Sequence, residues 1–251
     1  MIDYQLQNAQ LDLMRRREAL PPAPAPIADV VETAVSLPWS EAPDTEIERG
    51  AQRVALAQLD QSHPLIKAAV AMCYRWRDEK QNGRDYASVV LTGPYGSGKT
   101  HIALALLWSI VLELDNGQAV APVGKFFKAT DLLMKMNPTR SDWGGYDVPR
   151  PADFIGQVPI VVIDDIGTEQ RLPFITGNDQ AGEIQARYYR VIDYCYMHNI
   201  SIVATCNTSL TQLETIVGGR AWDRLCQMAP KGFMMDLTGV PSWRRLQSGR
   251  V

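Results

Sequence analysis

The chain has 251 residues, of which 46% are hydrophobic and 21% charged, a globular composition that excludes a wholly disordered protein. The formal net charge is −3, which excludes a histone-like polycation, so contact with nucleic acid would require a local basic patch. No stretch reaches the roughly 18 apolar residues of a membrane span, and the N-terminus lacks an apolar signal core. We therefore expect a soluble, cytoplasmic protein without a membrane partner.

Four cysteines are spread along the chain without a CxxC pair. Cys73, Cys195, Cys206 and Cys226 therefore match neither a zinc-finger spacing nor a disulfide framework. In a cytoplasmic protein such residues behave as small hydrophobic side chains, so we predict reduced, buried thiols.

Residues 1–26 are predicted to form a partner-binding arm ahead of the main domain. A helix predicted over residues 2–19 ends at the sequence LPPAPAP, whose prolines remove backbone donors and favour an extended chain. A helix separated in this way either docks on a partner or is a frayed end. Residues 27–59 follow as an acidic connecting segment, with helical periodicity from about 46 to 59.

Residues 60–251 have the pattern of one α/β domain. Continuous apolar strands alternate with helices, which is typical of a parallel sheet covered by helices on both faces. Residues 138–157 are predicted to be a long loop. The predicted strands span about 87–91, 119–127, 158–163 and 200–205, and the predicted helices about 64–80, 99–115, 129–136, 181–197 and 219–227.

A glycine-rich segment between the first strand and the following helix matches GxxxxGK[ST] in full. Its glycines allow successive N–H groups to surround phosphate oxygens, and the helix N-terminus adds partial positive charge. Lys99 is expected to bridge the β- and γ-phosphates, and the Thr100 hydroxyl to bind Mg²⁺. The predicted nucleotide-binding stretch runs through His101, which we interpret as a helix residue rather than a ligand. The motif comprises Gly93, Pro94, Tyr95, Gly96, Ser97, Gly98, Lys99 and Thr100.

Polar side chains also follow two later strands. Asp164 and Asp165 end the apolar run IVVI, and Asn207 ends IVATC. Ligands of open α/β sheets bind at the carboxyl ends of the strands, so we expect these side chains near the phosphate site. Asp164 is predicted to hold Mg²⁺, and Asp165 to orient or polarise the attacking water. Asn207 is the weaker prediction, because Asn after a strand is commonly a turn residue.

Taken with the P-loop, the sequences IVVIDDIGTE, IVATCNTSL, GGRAWDRL and PSWRR resemble the AAA+ ATPases of the DnaC/DnaI helicase-loader and IstB transposition-helper group. The resemblance covers about residues 60–247. It implies a P-loop NTPase fold with a reduced C-terminal lid, because the chain stops seven residues after Arg244.

The resemblance also implies roles for individual residues. Lys99 and Thr100 match the first Walker motif, and Asp164 and Asp165 the second. Asn207 matches sensor 1. Many AAA+ proteins have Glu in place of Asp165, so the shorter acid suggests slow, switch-like hydrolysis or help from Glu169. Among the arginines, Arg224 matches the arginine finger, with Arg220 as the adjacent alternative, and Arg244 matches sensor 2.

The function implied is that of an ATP- and Mg²⁺-dependent ATPase that forms homo-oligomers, as rings or filaments, on DNA. We expect a loader of a replicative helicase, with an IstB-like ATPase that selects target DNA and activates a transposase as the alternative. In the related loaders the region corresponding to Lys128 and Lys135 faces DNA, so both are predicted to contact DNA, most simply single-stranded. A monomeric kinase would leave Asn207 and Arg224 unexplained, and intact Lys99 argues against an inactive scaffold.

Overall fold

The computed structural model describes residues 56–81, 88–111, 124–140, 146–156, 158–169, 180–230, 232–243 and 245. All of them lie within Leu37–Val251, one of the two units of the chain. The predicted arm over 1–26 and almost all of the segment over 27–59 lie outside the described residues, so both remain predictions. Of the helix predicted over 46–59, only a single 3-10 turn, Leu56–Gln58, is described.

The described elements alternate along the chain as the sequence pattern predicts. Five strands form one parallel sheet, and a two-stranded ribbon lies apart from it. The strands are β1 (Val89–Thr92), β2 (Gly124–Lys128), β3 (Thr139–Arg140), β4 (Tyr146–Asp147), β5 (Ile160–Ile166), β6 (Ser201–Cys206) and β7 (Met234–Asp236). The helices are α1 (Pro64–Gln81), α2 (Lys99–Val111), α3 (Ala129–Met134), α4 (Pro151–Ile155), α5 (Gln180–Met197), α6 (Leu210–Val217) and α7 (Gly219–Met228).

Helices cover both faces of the sheet. Along β5, Ile160 and Val162 belong to a core cluster with α1 and α2, whereas Val161 and Ile163 belong to a second cluster with α3, α5, α6 and α7. This alternation is the two-residue period of a strand buried on both sides. The continuous apolar strands of the sequence are thereby explained, and the predicted α/β fold is confirmed.

The sheet order places three strand ends together. The strands lie in the order β2-β5-β6-β1-β7, so the chain leaves β1, crosses to the edge strand β2, and returns through β5 and β6. A change of direction of this kind opens a crevice at the carboxyl ends of the strands. The P-loop follows β1, Asp164 and Asp165 lie near the end of β5, and Asn207 follows β6. The fold therefore gathers the predicted site residues at one edge.

The prediction of a long loop over 138–157 is wrong in part. Strands β3 and β4 pair antiparallel in this segment, and helix α4 follows them. Proline fits the first turn of a helix, and Pro151 takes that place in α4. The Asp153 side chain accepts a hydrogen bond from the Arg150 N–H at 2.8 Å, which satisfies a donor at the helix start. Both signals were present in a segment too short to show helical periodicity.

The four cysteines are free thiols, as the sequence predicts. Three are buried, and Cys226 is half-buried. Burial raises the pKa of Cys73 and of Cys195 to about 12, so both are neutral thiols in the core. Among the described residues, none of the helices is long and apolar enough to cross a membrane.

Candidate nucleotide-binding site

The glycine-rich segment forms a loop between β1 and α2. Gly98 has a φ of +91°, a conformation that favours glycine, and a Cβ at this position would meet no atom within 4 Å. The loop is braced on its other side. The backbone N–H of Trp243 donates to the Gly96 carbonyl at 3.1 Å. Leu237 packs so closely against Gly93 that a Cβ on this glycine would lie only 3.0 Å from it. The loop is thus fixed by the C-terminal segment and open at Gly98.

Lys99 lies folded onto the loop that precedes it. Its Nζ donates to the carbonyl oxygens of Gly93 at 2.9 Å and Pro94 at 2.8 Å, and only 4% of the residue is exposed. Burial lowers the pKa of Lys99, while the charges of Asp165 and Asp164 oppose this shift. The ammonium group is therefore held by neutral acceptors in a poorly hydrated position. An anionic ligand would compensate its charge better than those carbonyls do.

Asp164 lies against Thr100, as a shared cation site requires. The Thr100 hydroxyl donates to Asp164 Oδ1 at 2.9 Å, so the two predicted magnesium ligands are adjacent. Burial is the largest effect on Asp164 and raises the pKa of its carboxyl group, with Asp165 adding to the shift, while hydrogen bonds from Thr205 and Thr100 and the charge of Lys99 oppose it. A buried carboxylate beside a hydroxyl matches the oxygen ligands that Mg²⁺ prefers.

Asp165 adopts an unusual backbone conformation. Its φ is +59°, in the left-handed region that non-glycine residues rarely enter. Asn207 Nδ2 donates to Asp165 Oδ1 at 2.6 Å, so the predicted sensor and the second acid are in direct contact. Strained backbone of this kind persists only where the surrounding structure holds it.

Glu169 does not reach the cavity. It is fully buried, accepts two hydrogen bonds from the Gly167 N–H at 2.8 and 3.0 Å, and accepts another from the Tyr188 hydroxyl at 2.6 Å. Its carboxylate closes the turn after β5 against helix α5. The structure therefore gives Glu169 a structural position outside the cavity lining, which corrects the expectation that it helps Asp165 in hydrolysis.

A cavity of about 520 Å³ lies over the P-loop, within the range of small-molecule sites. Lys99, Thr100, Asp164, Asp165 and Asn207 all line it, so the fold brings these predicted residues together. Sequence patterns did not predict the wall formed by Gln58, Leu59 and Asp60 ahead of α1, nor the contribution of Trp243. Nothing in the local sequence marks that wall, because a short turn carries no periodicity. The other lining residues are Gln58, Leu59, Asp60, Ile66, Tyr95, Gly96, Gly98, His101, Ile102, Lys128 and Trp243.

Lys128 and Lys135, the two predicted DNA contacts, lie at opposite ends of α3. Lys128 ends β2 directly opposite Asp164 and lines the nucleotide cavity. Lys135 is half-buried at the C-cap of α3 and does not line the cavity. The two lysines therefore have different surroundings, and their contact with DNA stays a prediction.

The predicted arginine finger lies away from the cavity of its own chain. Arg224 is on α7, where its Nε lies 3.4 Å from Asp193 Oδ1 and its guanidinium lies 4.4 Å from the centre of the Tyr196 ring. Asp193 and Tyr196 both belong to α5. Arg220, the alternative finger, is exposed on the first turn of α7. Arg244 lies outside the described residues, so its role as sensor 2 stays a prediction.

The parallel sheet, the P-loop and the acids at the end of β5 define a P-loop nucleotide-binding protein of the AAA+ class. Within it, the chain belongs to the family of IstB-like ATP binding proteins, whose model matches residues 72–224. No curated protein matches the sequence significantly.

Two solved structures have a similar fold. DnaI is 19% identical, with a TM-score of 0.53 over 76% of this chain and 90% of DnaI. A DnaC helicase loader is 20% identical, with a TM-score of 0.52 over 72% of this chain and 95% of the loader. These identities show a shared fold and nothing finer.

Proposed function

We propose that the protein hydrolyses ATP to ADP and phosphate with Mg²⁺, as a switch rather than a motor. The observation that carries this proposal is that five predicted site residues line one cavity: Lys99, Thr100, Asp164, Asp165 and Asn207. A protein that only bound nucleotide would need the P-loop but not two acids and an amide beside it. Their placement at the end of two neighbouring strands supports hydrolysis.

The nucleotide phosphates would lie on the P-loop, where backbone N–H groups and the N-terminus of α2 favour negative charge. Lys99 would exchange its two carbonyl acceptors for phosphate oxygens, which restores the compensation that its buried charge lacks. Thr100 and Asp164 fit Mg²⁺, since their oxygen atoms lie 2.9 Å apart and Asp164 is buried. The ion would neutralise charge on the phosphates.

Asp165 is proposed to orient the attacking water. Asn207 donates to its Oδ1, which leaves the second oxygen of the carboxylate to accept a hydrogen bond from water. Asn207 also lines the cavity, so its amide is proposed to sense whether a γ-phosphate is present. The short side chain of Asp165 supports slow turnover, because it reaches less far than the Glu of many AAA+ proteins.

Arg224 is proposed to complete the site of a neighbouring subunit. An arginine finger stabilises charge on the transferred phosphoryl group and can be supplied in trans. Arg224 does not line the cavity of its own chain. Asp193 and Tyr196 hold its guanidinium group against α5. This arrangement supports a homo-oligomer, as a ring or filament, in which each finger serves the next site.

We propose that this ATPase loads a replicative helicase onto DNA. The fold shared with DnaI and with a DnaC helicase loader supports the proposal. The arm over residues 1–26 would bind the helicase, while Lys135 and Lys128 would contact single-stranded DNA.

A second candidate is a transposition helper that selects target DNA and activates a transposase. The match to the IstB-like family over residues 72–224 favours this candidate specifically. Both functions use the same ATPase core, so residues of the site do not separate them.

Co-purification of the full chain with a hexameric helicase, and in parallel with a transposase, separates the two candidates. We expect an ATP-dependent complex with the helicase. A complex with the transposase alone would establish the second candidate. Absence of ATP hydrolysis with DNA and either partner present would contradict the ATPase itself.

A further inference from the structure

Strand β5 contains a bulge at its two acids. Ile163 pairs with Ala204 and Ile166 pairs with Cys206, so Asp164 and Asp165 together lie opposite one residue of β6, Thr205. Successive side chains of a regular strand point to opposite faces of the sheet. Without the extra residue, the side chains of Asp164 and Asp165 would therefore point to opposite faces of the sheet. In the structure both line the same cavity, which agrees with the use of bulges to redirect side chains beside active sites.

Thr205 is bonded to both residues of the bulge. Its hydroxyl donates to Asp164 Oδ1 at 2.6 Å and accepts from the Asp165 N–H at 2.9 Å. The second bond gives an acceptor to a backbone donor at the point where the strand ladder is interrupted. Thr205 is fully buried, so water has no ready access to replace either bond.

The neighbouring residue, Cys206, bonds the far side of the bulge. Its thiol donates to the Ile166 carbonyl at 3.1 Å, beyond the two acids. Thr205 is therefore the member of β6 that acts on the acids themselves. A hydroxyl is required for both bonds, because one atom must donate to a carboxylate and accept from an amide.

We infer that Thr205 is a positioning residue for hydrolysis: its single hydroxyl holds Asp164 toward Thr100 and stabilises the left-handed backbone of Asp165. The inference rests on the proposed ATPase function and adds a residue to it. Thr205 does not line the cavity, so it acts through the two acids.

Three substitutions isolate the hydroxyl. Thr205→Val keeps the shape and removes the oxygen, while Thr205→Ala and Thr205→Ser differ from each other in that oxygen alone. We expect Val and Ala to lower kcat about ten- to a hundredfold, the loss typical of a hydrogen bond to a charged group, and Ser to stay within about threefold of the parent. Affinity for ATP without Mg²⁺ should not change, because the P-loop is intact.

A matched control lies on the same strand. The Ser201 hydroxyl is buried at the other end of β6 and has no hydrogen-bond partner among the described residues. Ser201→Ala therefore removes a buried hydroxyl from β6 without touching the bulge, and we expect kcat to stay unchanged. Equal losses in Ser201→Ala and Thr205→Ala would reduce Thr205 to a general packing role and overturn the inference.

Amide hydrogen exchange gives a readout that needs no activity. The Asp165 N–H should exchange measurably faster in Thr205→Ala than in Thr205→Ser, as followed by NMR on the full chain without nucleotide. Unchanged exchange at Asp165, or a kcat in Thr205→Val equal to that of the parent, would overturn the inference. If the parent protein hydrolyses no ATP, the proposed function fails, while the exchange comparison still decides whether Thr205 holds the bulge.

Discussion

The phenol of Tyr188 donates a hydrogen bond of 2.6 Å to Glu169 Oε1 in a fully buried contact between α5 and the turn after β5. Burial is the main effect on Glu169 and raises the pKa of its carboxyl group, while the hydrogen bonds from Tyr188 and backbone amides oppose it. An ionised carboxylate at this position therefore destabilises the fold relative to a neutral one.

Glu169→Gln should remove a pH dependence from the stability of the protein. The native state keeps a proton on Glu169 at pH values where the unfolded chain has lost it, so stability falls as pH rises from the ordinary pKa of 4.5 to the raised value. The Gln variant lacks this fall. Urea unfolding measured from about pH 4 to about pH 8 should show a difference in stability between variant and parent that changes in favour of the variant as pH rises and then levels off. Glu214→Gln removes an exposed carboxylate and serves as the control; an equal change there would contradict the role of burial.

Lys99→Ala should abolish productive ATP binding, whereas Asp165→Asn should keep binding and stop turnover. In the proposed mechanism Lys99 supplies the positive charge for the β- and γ-phosphates, whereas Asp165 acts on water. Nucleotide titration and phosphate release on both variants test the pair. Normal hydrolysis by Lys99→Ala would contradict the proposed nucleotide site, and full turnover by Asp165→Asn would contradict the proposed role of Asp165.

Arg224→Ala should spare ATP binding and lose most turnover, by about 10³-fold if it behaves as other arginine fingers do. A mixture with Lys99→Ala should then recover activity, because one variant supplies an intact site and the other supplies the finger. Phosphate release across mixing ratios on single-stranded DNA measures this. If no mixture exceeds the sum of its parts, Arg224 does not act in trans, and the exposed Arg220 is the next residue to test.

Lys128 and Lys135 are both proposed to contact DNA, but only Lys128 should also affect ATP hydrolysis. Lys128 lines the nucleotide cavity opposite Asp164, so Lys128→Ala should lower turnover even without DNA. Lys135 lies outside the cavity, so Lys135→Ala should weaken DNA binding, reduce its salt dependence, and leave DNA-free turnover unchanged. DNA titrations at several salt concentrations, beside phosphate release without DNA, test both variants. Identical behaviour of the two variants would contradict this division.

Deletion of residues 1–26 should leave the fold and the ATP affinity nearly unchanged and remove partner binding. The proline-rich linker predicts an arm that folds apart from the main domain. A pull-down with the helicase, beside nucleotide titration of the shortened chain, measures both effects. Undiminished capture of the helicase would refute the recruiting role, and a loss of ATP affinity would place the arm in the domain core.

The nucleotide site was largely predictable from the sequence because its signals are local. Gly93 to Thr100 form one contiguous motif, and the apolar runs before Asp164 and Asn207 identify strands by composition alone. Parallel strands place their carboxyl ends at one edge, so the sequence already implied that these residues meet. Helix α6 was missed although its capping signal, Ser209 with Gln212, is also local.

Only the tertiary structure decided how the two acids act together. The bulge in β5 depends on pairing with β6, and Thr205 reaches Asp164 across 41 positions of the chain. The burial of Glu169 depends in the same way on Tyr188 of α5, which turned a residue suggested for catalysis into a structural one. Hydrogen bonds between distant segments leave no periodicity or spacing in either segment. Composition and motifs therefore determined which polar residues gather at the P-loop, and the packing of neighbouring elements determined how those residues bond to one another and which of them line the cavity.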